Sequence, residues 1–263
     1  MRIPPEKNET LPVSVCMIAG AEEERISRSL AAVKDWVAEI HVVINDDVCD
    51  RTEAIAIDLG AHVHRESWKG HIDQKNSAAA KGTQPWILAL DADEVVSDAL
   101  RDEIQSLFRS PDRLEKNAAW CFPRTTEVCG RFIKHGDWYP DRQTRLWRKG
   151  SAKWGGVNPH DKLVVQGTVG RLRGDLLHHG VLSLNQQLAK IPSYTDQFVV
   201  DRMAKGRRAT WLDLSFRPCW TFFRGYFLRL GFLDGWQGFY VARMNAFTAL
   251  TRYAKLRAAR EKQ

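Results

Sequence analysis

The chain has 263 residues, 44% of them hydrophobic, with 18 glycines and 10 prolines. That length and composition exclude a peptide, a long repeat array and a disordered or fibrous chain, and suit one α/β domain of roughly 200–250 residues with an appendage. The formal charge is +7, yet residues 1–200 sum to −2 and residues 201–263, with 13 basic and 4 acidic side chains, to +9.

In chain order, VSVCMIAG reads as a buried strand, followed by a helix carrying Ile26, Leu30, Val33 and Val37 on one face. EIHVVIN is a second strand, and Asp50 is placed to cap a helix that runs through Leu59 and closes at Gly60. AHVHRE reads as a short strand, residues 71–81 as a helix stopped at Gly82, and WILALD as an apolar strand ending in Asp91. Ser97 then caps a helix bearing Leu100, Ile104 and Leu107. This alternation predicts an α/β fold with a mostly parallel sheet and helices on both faces, in which ligands bind beyond the carboxyl ends of the strands. The loops to watch are therefore 19–24, 45–52 and 91–94.

The last 63 residues hold 13 of the 26 aromatic residues. A helical reading of 217–233 gathers Trp220, Phe223, Phe227 and Leu230 on one face with Arg217 and Arg224 opposite, and GWQGFYVARMNAFTALTRYAKLRAAR continues in the same style. Such an amphipathic helix fits a lipid headgroup layer, packing over a catalytic domain, or nucleic acid. The −2 balance of residues 1–200 offers no extended basic groove, so a nucleic-acid partner is not expected. Arg217, Arg224, Arg229, Asp234 and Arg243 interrupt every apolar stretch that approaches bilayer length. The run Val13 to Ala21 resembles a signal-peptide core, but Glu6, Lys7 and Glu9 precede it, so it is read as a strand. Five cysteines without CxxC spacing point to reduced thiols rather than a disulfide or zinc framework.

Chemistry concentrates at Asp91-Ala92-Asp93. Two carboxylates on the same side of an extended segment after a buried strand suit Mg²⁺ or Mn²⁺ bridging a nucleotide diphosphate. No glycine-rich phosphate loop accompanies them. The competing reading is an acidic turn that caps the next helix.

In their order, several segments resemble glycosyltransferase family 2, whose members share the GT-A fold. MIAGAEEERISRSLAAV, with Glu22 and Glu23, is similar to its first strand, Asn-Glu-Glu and helix, and VVINDDVCDRT to its second strand and acidic loop. WKGHIDQKNSAAAKGTQPWILALDADEVVS, HGDWYPDRQTRLWRKG and VNPHDKL resemble the bacterial subgroup that elongates the lipopolysaccharide inner core. The match covers residues 11–180, and the tail only loosely.

The resemblance implies Asp93 as principal metal ligand and Asp91 as a contact to the donor ribose or the metal, with Lys75 near the donor phosphates. Asn45 stands where the family has a nucleobase-binding Asp, and Asp46 or Asp47 is placed to substitute for it; Ala21 replaces the usual Asn. Asp161, where the subgroup has a His-Glu pair, is the expected base that deprotonates the acceptor hydroxyl, with Asp141 as rival. Arg145 is a candidate for phosphate or acceptor contact, and one of His178 and His179, here His179, for a third metal ligand. The resemblance thus implies an inverting transfer from a nucleotide-diphosphate sugar to a lipid-linked or lipopolysaccharide-core acceptor, peripheral on the inner face of the cytoplasmic membrane. The implied division is a catalytic domain over 1–200, with 11–100 as nucleotide-sugar half and 101–200 as acceptor half, and a basic aromatic helical tail over 201–263.

Overall fold

Five consecutive buried residues, Val13 to Met17, are the signature of a strand covered on both faces, and a computed structural model of the protein, describing residues 10–157, 160–180 and 183–261, places them so. Its first third runs β1 (Leu11–Ala19), α1 (Ile26–Ala31), β2 (Val37–Asn45), α2 (Thr52–Asp58), β3 (His62–Glu66), α3 (His71–Lys81) and β4 (Trp86–Asp91). The strands lie in the order β3-β2-β1-β4, all parallel. There follow β5 (Glu94–Val96), α4 (Asp98–Phe108), α5 (Pro111–Glu115), β6 (Ala119–Val128), β7 (Arg131–Phe132), β8 (Asp141–Arg148), β9 (Ala152–Val157), β10 (His160–Val165), β11 (Val169–Arg171) and β12 (Leu176–His178). The sheet continues β4-β8-β6-β12-β5, antiparallel at β4–β8 and β12–β5, with β11 and β7 also paired to β6, while β9 and β10 form a separate hairpin.

Alternation along the strands divides the core. Val13, Val15 and Met17 join Leu30, Leu88, Leu100 and Ile104 on one face; Cys16, Val43, Ile87 and Ala89 meet Ala78, Trp147 and Trp154 on the other. Burial, reinforced by Glu39, pushes the Cys16 thiol up to about 12. The mixed α/β fold expected from sequence is the one found.

Local signals held where the chemistry was local. Ser97 accepts from the backbone N–H of Leu100 and starts α4. Gly82 ends α3 in an extended conformation, and a side chain has no room there: a Cβ would lie 2.6 Å from Ile87 Cδ1 and 2.8 Å from Ser14 Cβ. Two expectations are corrected. The first helix stops at Ala31, where the Trp36 indole N–H donates to the Ala32 carbonyl, and Val37 opens β2 opposite Leu11. The N-cap position of α2 is Arg51, whose side chain makes no capping bond; Asp50, one residue earlier, accepts from the backbone N–H groups of Thr52 and Glu23.

Glu39 ties β2 to β1 and to the α3–β4 connection: it accepts from Ser14 Oγ at 2.5 Å and from Thr83 N and Oγ1 at 2.5 and 2.8 Å. Burial raises its carboxyl, but the bonds from Ser14, Thr83 and His41 outweigh that and bring it to about 2. A depressed carboxylate stabilises the fold above the unfolded value and loses that contribution as pH falls through the folded one. Glu39→Gln should therefore cost about 1–3 kcal/mol near neutral pH, and the deficit should shrink between pH about 4.5 and 2. Urea melts along that range check it; a constant deficit refutes the ionic origin.

The chain forms two compact units, residues up to 124 with 142–179, and residues 125–141 with 180 onward. The second unit thus contains, beside the tail with α8 (Trp211–Phe223) and α9 (Gly235–Glu261), segment 125–141, α6 (Leu184–Ala189) and α7 (Ile191–Ala204). Its core is Val128, Ile133 and Val241, with Trp138, Leu184 and Tyr240 against them. Thr210 and Asp213 cap α8 reciprocally. The continuous helix expected over 217–233 is broken. After Phe223 the chain makes a π-helical turn over Arg224–Leu228, Leu230 adopts φ +57°, and Gly231–Asp234 form a 3₁₀ turn. Glycines allow the break: a Cβ at Gly231 would lie 2.7 Å from the Gly225 carbonyl oxygen, and one at Gly238 1.9 Å from that of Gly231. Among the described residues no helix is long and apolar enough to cross a membrane.

Candidate active site

Strand β4 delivers Asp91 to the carboxyl edge of the sheet, and a two-residue turn returns the chain to β5 at Glu94. The Asp91 carboxylate is gripped from two sides: Oδ1 lies 2.9 Å from Lys75 Nζ on α3, and Oδ2 accepts from Arg145 on β8 at 2.6 Å. Lys75 Nζ is equally 2.9 Å from Asp161 Oδ2 on β10 and stands 4.7 Å above the Trp154 ring. One half-buried ammonium therefore joins the strand-end carboxylate to one on the β9–β10 hairpin. All of these side chains belong to the first unit.

Glu94, with a fully buried side chain, underpins the arrangement. Its Oε1 accepts from Arg145 at 2.7 Å and Arg124 at 3.1 Å, and its Oε2 accepts from the Asp91 backbone N–H at 3.1 Å. Its carbonyl accepts from Ser29 Oγ. A buried carboxylate endures only when paired and hydrogen-bonded. Burial would raise the Asp91 carboxyl, but Arg145 and Lys75 outweigh it and hold it far below the usual range. Burial would likewise lower Arg145, but Asp91 and Glu94 push it up, so it stays charged.

Asp93 faces a different set. Its Oδ2 lies 3.4 Å from His178 Nε2 and 3.8 Å from Arg25 Nη1, and its carbonyl accepts from the His179 backbone N–H at 2.8 Å. Burial raises the Asp93 carboxyl, and His178 more than offsets this. Of the two candidate histidines, then, His178 presents its ring to Asp93 while His179 meets it through the backbone. Arg25 also pairs with Glu22 at 2.5 Å, and the Glu22 N–H donates to Thr52 Oγ1. Burial pushes the Glu22 carboxyl up against the pull of Arg25.

Asn45 and Asp46 lie at the end of β2, two places along the sheet from β4. The Asn45 carbonyl accepts from Val48 N, and Asp46 Oδ2 accepts from Ser67 Oγ at 2.9 Å. Asp141 opens β8, four residues before Arg145. Sequence reasoning gave no role to Glu94, Arg25, Arg124 or Trp154. The available signal for Glu94 was a third acid in DADE, directly before an apolar strand.

Among the described residues no three His, Cys, Asp or Glu side chains are gathered as a ready-made metal site. Mg²⁺ commonly takes only one or two carboxylates and completes its shell with water and substrate phosphates. Asp93 supplies one carboxylate of that kind, with the His178 imidazole beside it, whereas both Asp91 oxygens already hold cationic side chains.

The sequence profile described as "Glycosyl transferase family 2" matches residues 14–169, which span β1 to the start of β11 and include Lys75, the Asp91–Glu94 turn, Arg145 and Asp161. The chain belongs to glycosyl transferase family 2. As a member it is a glycosyltransferase, and its sheet with a C-terminal helical segment is of the GT-A type. Its relatives include an uncharacterized glycosyltransferase of Rickettsia felis, 29% identical over 93% of this chain and 89% of that one. The lipopolysaccharide core biosynthesis glycosyltransferase LpsC of Rhizobium meliloti is 29% identical over 94% of this chain and 92% of its own. Among solved structures, S. aureus TarS 1–349 aligns over 95% of this chain and 92% of that one at 11% identity, with a TM-score of 0.45.

Proposed function

We propose that this family 2 enzyme transfers a sugar, with inversion, from a nucleotide-diphosphate sugar to a lipid-linked or lipopolysaccharide-core acceptor. The observation that carries the reading is the double pairing of Lys75, which sets Asp91 and Asp161 within reach of one ammonium. The name of the R. meliloti relative, similar over nearly its whole length, supports the acceptor class.

In the proposed reaction Asp161 takes the proton of the acceptor hydroxyl while that oxygen forms its bond to the anomeric carbon. The bond from that carbon to the diphosphate breaks on the opposite side. Lys75 offsets the charge gathering on the departing diphosphate. Arg145 and Glu94 hold Asp91 in place. Mg²⁺ or Mn²⁺ would be held by Asp93 with His178, and by Asp91 if one of its oxygens exchanges partners; when bound it neutralises diphosphate charge. Glu22, Asn45 and Asp46 line the adjoining strand ends, where the nucleoside of the donor is expected.

We also infer a peripheral seat on the inner face of the cytoplasmic membrane. Trp211, Phe216, Trp220, Phe227 and Trp236 are exposed on the second unit, among arginines, which supports that reading. A screen of nucleotide sugars with Mn²⁺, read by released nucleoside diphosphate and by thermal shift, tests the assignment. One or a few donors should raise the melting temperature and turn over; a panel in which none stabilises the protein refutes the donor class.

A further inference from the structure

The second unit holds an arrangement for which the transfer site has no use. The π-helical turn Arg224–Leu228 and the left-handed Leu230 are conformations that persist only where their surroundings enforce them, and they concentrate at functional sites. Their effect is to bring two arginines to one acid. Arg224 Nη2 lies 2.9 Å from Asp137 Oδ2, and Arg229 Nη1 lies 3.1 Å from Asp137 Oδ1. The Asp137 side chain is only 11% exposed, whereas those of Arg224 and Arg229 are 42% and 53% exposed. Backbone contacts fix the geometry: the Gly136 N–H donates to the Arg229 carbonyl at 2.8 Å, and Gly225 lets the turn pass close to Asp137.

One carboxylate for two guanidinium groups leaves a positive surplus and unspent N–H donors. Asp137 stays shielded beneath them, while the two arginine side chains remain about half exposed and open to an anion from outside. The same turn carries Phe223, Phe227, Leu228, Leu230 and Phe232, each between 44% and 57% exposed. A soluble anion would leave those apolar side chains in water; an anion at a lipid surface would bury them.

We propose that Arg224 and Arg229 form a seat for the phosphate of an anionic lipid headgroup, with the surrounding aromatic and leucine side chains entering the acyl boundary. Planar guanidinium groups offer paired N–H donors that match phosphate oxygens, and an arginine near an anionic surface contributes roughly a fivefold gain in binding. This inference rests on the peripheral-membrane reading above, and the experiment separates the two.

The full chain is floated with vesicles of phosphatidylcholine alone and of phosphatidylcholine mixed with phosphatidylglycerol, at physiological ionic strength. The wild type should favour the anionic vesicles by about 30-fold or more. R224Q/R229Q should lower that partition about 30-fold, clearly further than R207Q/R208Q, which removes the same charge from the exposed loop before α8. D137N frees both arginines and should raise partition, whereas a purely structural ion pair would lose it. If R224Q/R229Q melts early, R229Q alone, at the more exposed site, carries the comparison, with a loss of about fivefold expected. Equal losses for the two double variants, or a loss in D137N, overturn the seat while leaving membrane docking intact. Exchange of chloride for inorganic phosphate at equal ionic strength should leave partition unchanged; displacement would assign a soluble anion and overturn the lipid assignment. A wild type that binds neither vesicle overturns the membrane reading itself, and the seat with it.

Discussion

Asp161→Asn should reduce kcat by about 10²–10⁴-fold while donor binding, measured by thermal shift or calorimetry, stays within about threefold. The substitution keeps the shape of the side chain and, through its carbonyl oxygen, an acceptor for Lys75 Nζ, which now sits 2.9 Å from the carboxylate. What it removes is the capacity to hold a proton. Removal of a group needed only as the acceptor hydroxyl is deprotonated lowers kcat and kcat/KM together. Unimpaired turnover would transfer the base to Asp141. A matched loss of donor affinity would instead mean that Asp161 serves chiefly to place Lys75.

The second large effect is expected at Asp93. Asp93→Ala should lower transfer by about 10³-fold or more, since charge stabilisation by a bound divalent ion is worth several kcal/mol. Mn²⁺-dependent stabilisation by the donor should vanish as well. The variant should fold: the carboxylate is partly exposed, and the backbone carbonyl that receives the His179 N–H is untouched. Because His178 is itself proposed to hold the metal, the companion variant His178→Gln should weaken metal affinity by at least about tenfold, the loss typical of a residue that only orients a ligand, with a smaller effect on kcat. Full activity in Asp93→Ala, with metal dependence unchanged, would remove the metal assignment.

The sequence was most informative where burial alternates along a short segment. The strands at VSVCMIAG and WILALD and the helix after Ser97 follow from periodicity and one cap, and the acidic turn after Asp91 could be placed at a strand end without coordinates. Long-range pairings gave no such signal. Lys75 and Asp161 are 86 residues apart, and no local pattern says that an ammonium on α3 and a carboxylate on a hairpin share a hydrogen bond. Glu94 was hidden for a different reason: an acid in an acidic turn reads as solvated, and only the arrival of Arg145 and Arg124 makes its burial tolerable. The two adjacent histidines part at the end of β12: His178 is its last residue and pairs with Glu94 of β5, while His179 lies beyond the strand and donates its backbone N–H to the Asp93 carbonyl. In the tail, periodicity located the exposed aromatic face but not the break at Leu230, which depends on glycines meeting across the turn.

The shared lysine has a further meaning for an enzyme that must hold an activated sugar before its acceptor arrives. Water is the acceptor always at hand, and a carboxylate standing ready beside a bound donor would spend that donor on hydrolysis. With the proposed roles, Asp161 is paired with Lys75, and a diphosphate is a competitor able to draw the ammonium away. Under those roles the counterion that pairs with Asp161 would be the one that attends the leaving group, so that donor binding and release of the base would be a single event.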